Sequence, residues 1–435
     1  MASTSLSLHA QAASGPSTEP NAPVRRISSI DAAHAHEIFK DVYNDVRKDY
    51  YDPTFHGVNL EQRYHDYDSH IDTAASNGDA FRFIAGFLMG LHDSHLFFEP
   101  PMRGAKYQVD YRIAMIGDRC FVTQVRPGTD AATKLHVGDE VLALNGFAVS
   151  RASLWGLEYM FHTLAPAPRE QFLLRSPAGE KSTVVITHAM KANQRVYDLT
   201  TGDDFWTLVR QDEDDEDLIR ERYIEHGNVM VWKMAEFNAD INTVESMYGK
   251  ARKHETLIID LRGNPGGSGD TLELTLGHIF DRDLKIGDRI GRKPLKPFTV
   301  KAVRNPFQGK LIVLVDSESA SSSEVFARMV QLEHRGTVLG DTSAGAVMEA
   351  EELPETIGTD NVIPYGMSVT VANLVMTDGK SLENHGVEPD EKILPTAADL
   401  AAGRDPVMMR AFELAGSSVP PDMSGKLFTY LWPKL

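Results

Sequence analysis

Apolar residues recur along this chain with two periods. Within residues 30–91 they return every three to four positions. Ile38, Val42 and Val46 fall at i, i+4 and i+8, and Phe81, Phe83, Ile84, Phe87 and Leu88 make a second stripe. That spacing turns one face of a helix toward a core, so a small helical unit is predicted. From Tyr111 the pattern shifts to short apolar runs. YRIAM from Tyr111, CFVTQV from Cys120, VGDEVLALNG ending at Gly146, QFLL from Gln171 and STVVIT from Ser182 predict strands, with a short helix over 130–135. Farther along, NVMVW from Asn228, TLIIDL from Thr256 and LIVLV from Leu311 are continuous apolar runs and read as buried strands.

Two of these runs end in turns rich in small residues. TLIIDL passes into RGNPGGSG, and LIVLV passes through DSESASSSE into the apolar-periodic helix start Val325, Phe326, Ala327. Glycines at such a turn let backbone approach backbone or ligand closely. A strand-to-helix turn lifts a hydroxyl above a sheet, and the first N–H groups of the helix have no partner within it, so they can face an oxyanion. Ser321 is therefore the candidate nucleophile. The competing reading is a serine-rich N-cap on an ordinary α/β helix, with NPGG as a tight structural turn. For two preorganised oxyanion donors the candidates are the N–H of Ser322 and an N–H from Gly266 or Gly267.

Strand, DLRGNPGG and helix, then strand, SASSSE and helix, then the late LENHGVEPD, together resemble the peptidases of the C-terminal-processing and tricorn-core family over roughly residues 80–395. The resemblance implies a multidomain α/β protein. Its core would be a ClpP/crotonase-like spiral of ββα units, with an N-terminal helical domain and a PDZ-like β domain. It also implies a serine peptidase acting through an acyl-enzyme on polypeptide substrates, without a cofactor. In the commoner branch a Phe-Gly-Lys-Gly segment carries a general-base lysine; here TSAGA occupies residues 342–346, and no lysine occurs between Lys310 and Lys380. In the tricorn-like branch a Ser-His pair and a late carboxylate complete the site. Carried over, that gives Ser94, His95, Ser321 and Glu383, with His95 as base and Ser94 and Glu383 orienting it.

Among the sixteen histidines, His95 in LHDSHLFF competes with its neighbours His92 and Asp93, and His385 competes with Glu383. Two histidines three apart also raise the question of a metal, but no Cys cluster and no H-E-x-x-H helix joins them, so no metal is expected. The glycines of residues 263–269 do not keep a dinucleotide-binding spacing.

At 435 residues and 42% apolar content the chain exceeds the usual single domain. The expected division is a disordered tail over 1–27, a helical domain over 28–103 carrying Ser94 and His95, and a PDZ-like domain over 104–195. An acidic linker follows over 196–222, around DEDDED at 212–217, then a peptidase core over 223–420 and a C-terminal tail over 421–435. A PDZ module would hold a peptide as an added strand, although the glycine-bearing carboxylate-binding loop is not evident before Ile113. A net charge of −18, from 44 basic and 62 acidic residues, argues against nucleic acid or anionic membrane as partner. Cys120 is the single cysteine, so no intramolecular disulfide forms. No stretch has transmembrane length, and residues 5–12 resemble at most a remnant of a signal peptide. The family resemblance favours a periplasmic or secreted location. Two other functional classes stay open: a catalytically degenerate peptide- or lipid-binding member of the same fold, and a scaffold acting through its PDZ-like part.

Overall fold

The three buried runs lie side by side as parallel strands, Val229–Lys233 beside Thr256–Asp260 beside Lys310–Val315, with Thr337–Gly340 parallel beyond them. Arg222–His226 closes one edge antiparallel and Glu391–Lys392 the other edge parallel. This computed structural model describes residues 26–192, 197–198, 222–358 and 361–432. Both faces of the sheet are covered, which is why its strands are apolar at every position rather than at alternate ones. Leu257, Ile259, Leu311 and Val313 share a core with the helices Ile241–Ala251, Gly269–Gly277 and Ser322–Leu332. Ile258, Ile312, Leu314 and Leu339 pack instead against Val407, Met408, Ala411 and Phe412 of the helix Pro406–Leu414. Each such side chain contributes about 1.5–3 kcal/mol by leaving water. The C-terminal ends of the strands at Asp260, Val315 and Gly340 all open to the same side, where ligand-binding loops of α/β sheets gather.

Helices Ser29–Asp49, Leu60–Ile71 and Asn77–Met89 form the predicted helical unit. Its core extends into Tyr365, Met367 and Val369 of a long strand, Asn361–Met376. That strand pairs with Met348–Gly358 as an antiparallel hairpin, and the short strand Phe97–Glu99 joins its other side with Phe97 opposite Ser368. The hairpin does not emerge from the sequence pattern. MEAEELPE, from Met348, has a composition that favours helix, and Pro354 argues against a central strand. Here it is an edge strand, paired among the described residues only with Asn361–Met376, so Pro354 is tolerated and tertiary pairing overrides local propensity.

The β-rich region forms a sheet of Tyr111–Ile116, Arg119–Val125, Glu140–Leu144, Arg169–Arg175 and Lys181–Thr187. Cys120 is buried within it, and the helix expected over 130–135 is a single turn of 3-10 helix at Ala131–Thr133. This sheet is bonded to the loops that carry the site. Ser317 Oγ donates to the Met115 carbonyl at 2.7 Å, Arg112 pairs with Glu318 at 2.5 Å, and Arg151 pairs with Asp341 at 2.6 Å. The expected C-terminal tail, 421–435, is not free over its described part: Pro421–Ser424 is a helical turn, and Leu427 and Phe428 pack on the outer core. Their apolar character drives them onto the sheet. Nearly all of the expected acidic linker, and residues 1–25, lie outside the described residues.

Asp260 and Arg262 bind the two layers together. The buried Asp260 carboxylate pairs with Arg262 at 2.9 Å, and Arg262 also reaches Asp405, the N-cap of Pro406–Leu414, at 2.8 Å. Burial alone would raise the Asp260 pKa, but Arg262 and Lys233 outweigh it and hold the group well below the usual range. Arg262→Met leaves Asp260 with Lys233 alone and takes the arginine from Asp405, and the expected cost is about 3–5 kcal/mol in a denaturant titration. A cost under about 1 kcal/mol would show that the pair does not support the fold.

Candidate active site

Ser321 sits between the end of Lys310–Val315 and the helix Ser322–Leu332 with φ 54° and ψ −119°, a conformation that L residues rarely adopt. Its surroundings hold it there. The Ser321 N–H donates to the Ala346 carbonyl at 2.8 Å and to Glu324 Oε2 at 3.1 Å, the reach-back half of a capping box. Gly266 presses from the other side: a Cβ at that position would lie 2.5 Å from the Ser321 Cβ. The hydroxyl is thereby turned away from the cap role and out toward a cleft of about 2510 Å³.

His95 meets it there, its Nε2 3.2 Å from Ser321 Oγ across 226 residues of sequence. The Ser94 hydroxyl lies 2.8 Å from His95 Nδ1 and donates to Glu383 Oε2 at 2.8 Å. A hydroxyl has one proton, so Ser94, having given it to the carboxylate, accepts from Nδ1–H. Nε2 is then left with a lone pair facing Ser321, the tautomer a general base requires. Glu383 also accepts from the Ser94 N–H at 3.0 Å and the Val347 N–H at 2.8 Å. Burial lowers the His95 pKa from its ordinary value, opposed by Asp93. Burial raises that of Glu383, against the pull of its Ser94 and Val347 donors.

The expected oxyanion donors differ in availability. The Gly266 N–H is taken by Asn264 Oδ1 at 2.9 Å. Among the described residues neither the Ser322 nor the Gly267 N–H has an acceptor. Gly267, at φ 133°, is the glycine with a donor to spare, and Gly266 instead supplies the close approach to Ser321.

The rival residues fall elsewhere. His92 is exposed, and His385 is exposed with its ring bonded to the Glu383 carbonyl at 2.7 Å. Asp93 is a structural acceptor for Tyr50 Oη, Thr370 Oγ1 and the His95 N–H. Three positioning residues escaped the sequence reading. Asn264 is fully buried and donates to the Met234 carbonyl while orienting Gly266. The buried Glu324 gathers Ser343 Oγ and the Gly345, Ala346 and Ser321 N–H groups, and burial pushes it up to about 7 against those donors. Ser343 links Glu324 onward to the Val387 N–H. Only Glu324 left a sequence signal, the S-x-x-E spacing from Ser321.

Residues 227–393 match the family model described as Peptidase family S41, and residues 31–88 match that of the tricorn protease C1 domain. Together these matches support placing the chain with the C-terminal processing peptidases of family S41. It is similar to the carboxy-terminal processing protease CtpB of Bacillus subtilis, at 29% identity over 31% of this chain and 27% of that protein. It is also similar to the tail-specific protease of Haemophilus influenzae, at 23% identity over 68% of this chain and 43% of that protein. The chain thus spans less than half the length of these relatives. The crystal structure of mature CPAF superposes with a TM-score of 0.63 at 15% identity, over 86% of this chain and 95% of that one, a likeness of fold.

The packing of Gly266 on Ser321 yields a direct expectation. Gly266→Ala forces the Ser321 turn to move, and reactivity of that hydroxyl toward a fluorophosphonate falls about 100-fold, as for a misplaced reacting group. Unchanged labelling kinetics by intact mass would show that the turn does not depend on this contact.

Proposed function

We propose that this chain is a serine peptidase that hydrolyses polypeptides through an acyl-enzyme on Ser321, with His95 as its general base. The observation that carries the reading is the unbroken relay from Ser321 Oγ to His95, Ser94 and Glu383, each step within 3.2 Å. His95 Nε2 takes the Ser321 proton as Oγ attacks the peptide carbonyl. The N–H groups of Ser322 and Gly267 receive the oxyanion, and the imidazolium then protonates the departing amine. Water, deprotonated by the same nitrogen, releases the acyl group. A positioned base of this kind contributes about 10²–10⁴-fold. Ser94 and Glu383 hold the ring in its Nδ1–H form and stabilise the imidazolium.

The core over 223–420 is read as the ClpP/crotonase-like catalytic domain, preceded by the helical domain over 28–103 that delivers the base. The sheet spanning Tyr111 to Thr187 is read as a PDZ-like domain presenting the peptide, a role supported by its bonds to the loops around Ser317, Glu318 and Asp341. The family matches and the names of the relatives support endopeptidase or carboxyl-end-processing activity. Among the described residues no helix is long and apolar enough to cross a membrane.

A fluorophosphonate probe tests the reading: one adduct by intact mass in wild type, none in Ser321→Ala and a loss of at least about 100-fold in rate for His95→Ala. No adduct in wild type would return the degenerate binding protein. The labelling rate also has a defined pH dependence. His95 must be neutral to act, and burial lowers its pKa from 6.5, so the rate rises with pH through a midpoint below 6.5 and is flat above neutrality. A midpoint above 7 would mean that a different group supplies the base.

A further inference from the structure

The wall of the cleft beside His95 carries a feature that hydrolysis itself does not use. The short helix Leu154–Glu158 presents Trp155 and Glu158, three residues apart and so on one face, and both side chains line the cleft that holds Ser321 and His95. The helix is fixed to the strand that follows His95. Tyr159 Oη donates to the Phe98 carbonyl at 2.5 Å and accepts from its N–H at 3.2 Å. The Phe97 ring stands edge-on to Trp155 at 6.3 Å between centroids, and Tyr159 stacks on Trp155 at 5.1 Å. Yet Trp155 remains 52% exposed, an unusual state for tryptophan in a wall so well braced.

Glu158 makes no hydrogen bond or ion pair among the described residues, although four titratable groups surround it. Arg112 is committed to Glu318 at 2.5 Å and to the Tyr430 ring at 5.0 Å. Glu170 is committed to His162, His188 and Tyr111. Glu318 repels it. Burial pushes the Glu158 carboxyl up to about 7, and His162 and Arg112, each already bonded to another carboxylate, offset it only in part. An open aromatic face beside an unpaired carboxylate matches the chemistry of a long cationic side chain, whose stem lies over the ring while its head reaches the acid. The cleft lining agrees, carrying more carboxylates than lysines and arginines.

We propose that Trp155 and Glu158 form a specificity subsite for a lysine or arginine side chain of the peptide, on the His95 side of Ser321. This rests on the reading that the cleft carries an extended peptide past Ser321. Binding is measured on the full chain with Ser321→Ala, at pH 8 where Glu158 is ionised. The ligands are fluorescein-labelled peptide pairs that differ only in lysine or norleucine at one scanned position, followed by anisotropy. At one position the lysine peptide binds about tenfold tighter, the scale of one charge-assisted bond. Adding Glu158→Gln brings the pair within about twofold, because the charge-assisted bond is gone. Trp155→Ala weakens the lysine peptide, and Glu158→Lys reverses the preference toward glutamate. Equal affinities at every position, or a lysine preference intact in Glu158→Gln with circular dichroism unchanged, overturns the proposal. The readout does not depend on turnover. Fluorophosphonate labelling without a lysine preference leaves the peptidase reading standing and removes the subsite, and the converse result removes the peptidase reading alone.

Discussion

One carboxylate joins the halves of this site. Glu383 follows the long hairpin, and its two oxygens collect the Ser94 N–H, the Ser94 hydroxyl and the Val347 N–H. Ser94 belongs to the helical unit, and Val347 immediately precedes the hairpin strand Met348–Gly358 and packs into the main core. A carboxylate drawn partly out of water is tolerated only where donors satisfy it, so half-burying Glu383 goes together with bringing these elements to it. The same bonds use the single Ser94 proton and thereby decide which nitrogen of His95 faces Ser321. Assembly of the fold and selection of the tautomer are therefore one event.

The Ser321 turn answers a second constraint. A serine at positive φ costs on the order of 1–3 kcal/mol, and this cost is met locally by Glu324, the Ala346 carbonyl and the close packing of Gly266. Because Ser321 is kept out of the relaxed N-cap geometry, its hydroxyl is not used up on the first turn of the helix, which is what the ordinary capping alternative would have required.

What could be read from the sequence follows the range of the interactions. The parallel strands announced themselves because both faces are buried, and the SASSSE and NPGG turns because glycine and small hydroxyl residues have few structural substitutes there. His95 and Glu383 had no local signal that set them above His92, Asp93 or His385; only the resemblance singled them out, because what distinguishes them is a partner hundreds of residues away. The hairpin was illegible for the same reason, its acidic, helix-favouring MEAEELPE being held as a strand by pairing alone. Gly266 and Gly267 looked equivalent in sequence. Asn264 separates them by taking one N–H and leaving the other.

The segment 342–346 shows how the site accommodates the absence of a lysine. Where the resemblance places a base in the commoner branch, Ser343, Gly345 and Ala346 instead surround Glu324. A lysine side chain there would have to share that buried pocket with a cap that the Ser321 turn needs. In the proposed mechanism the base therefore comes from the opposite side of the cleft, on a short stretch anchored by Phe97–Glu99 against Asn361–Met376. A lysine on the neighbouring strand would make the core sufficient by itself. A histidine delivered by the helical unit makes proton transfer depend on three residues of strand pairing and the Glu383 junction. In that reading, any event that loosens this docking separates the proposed base from the proposed nucleophile.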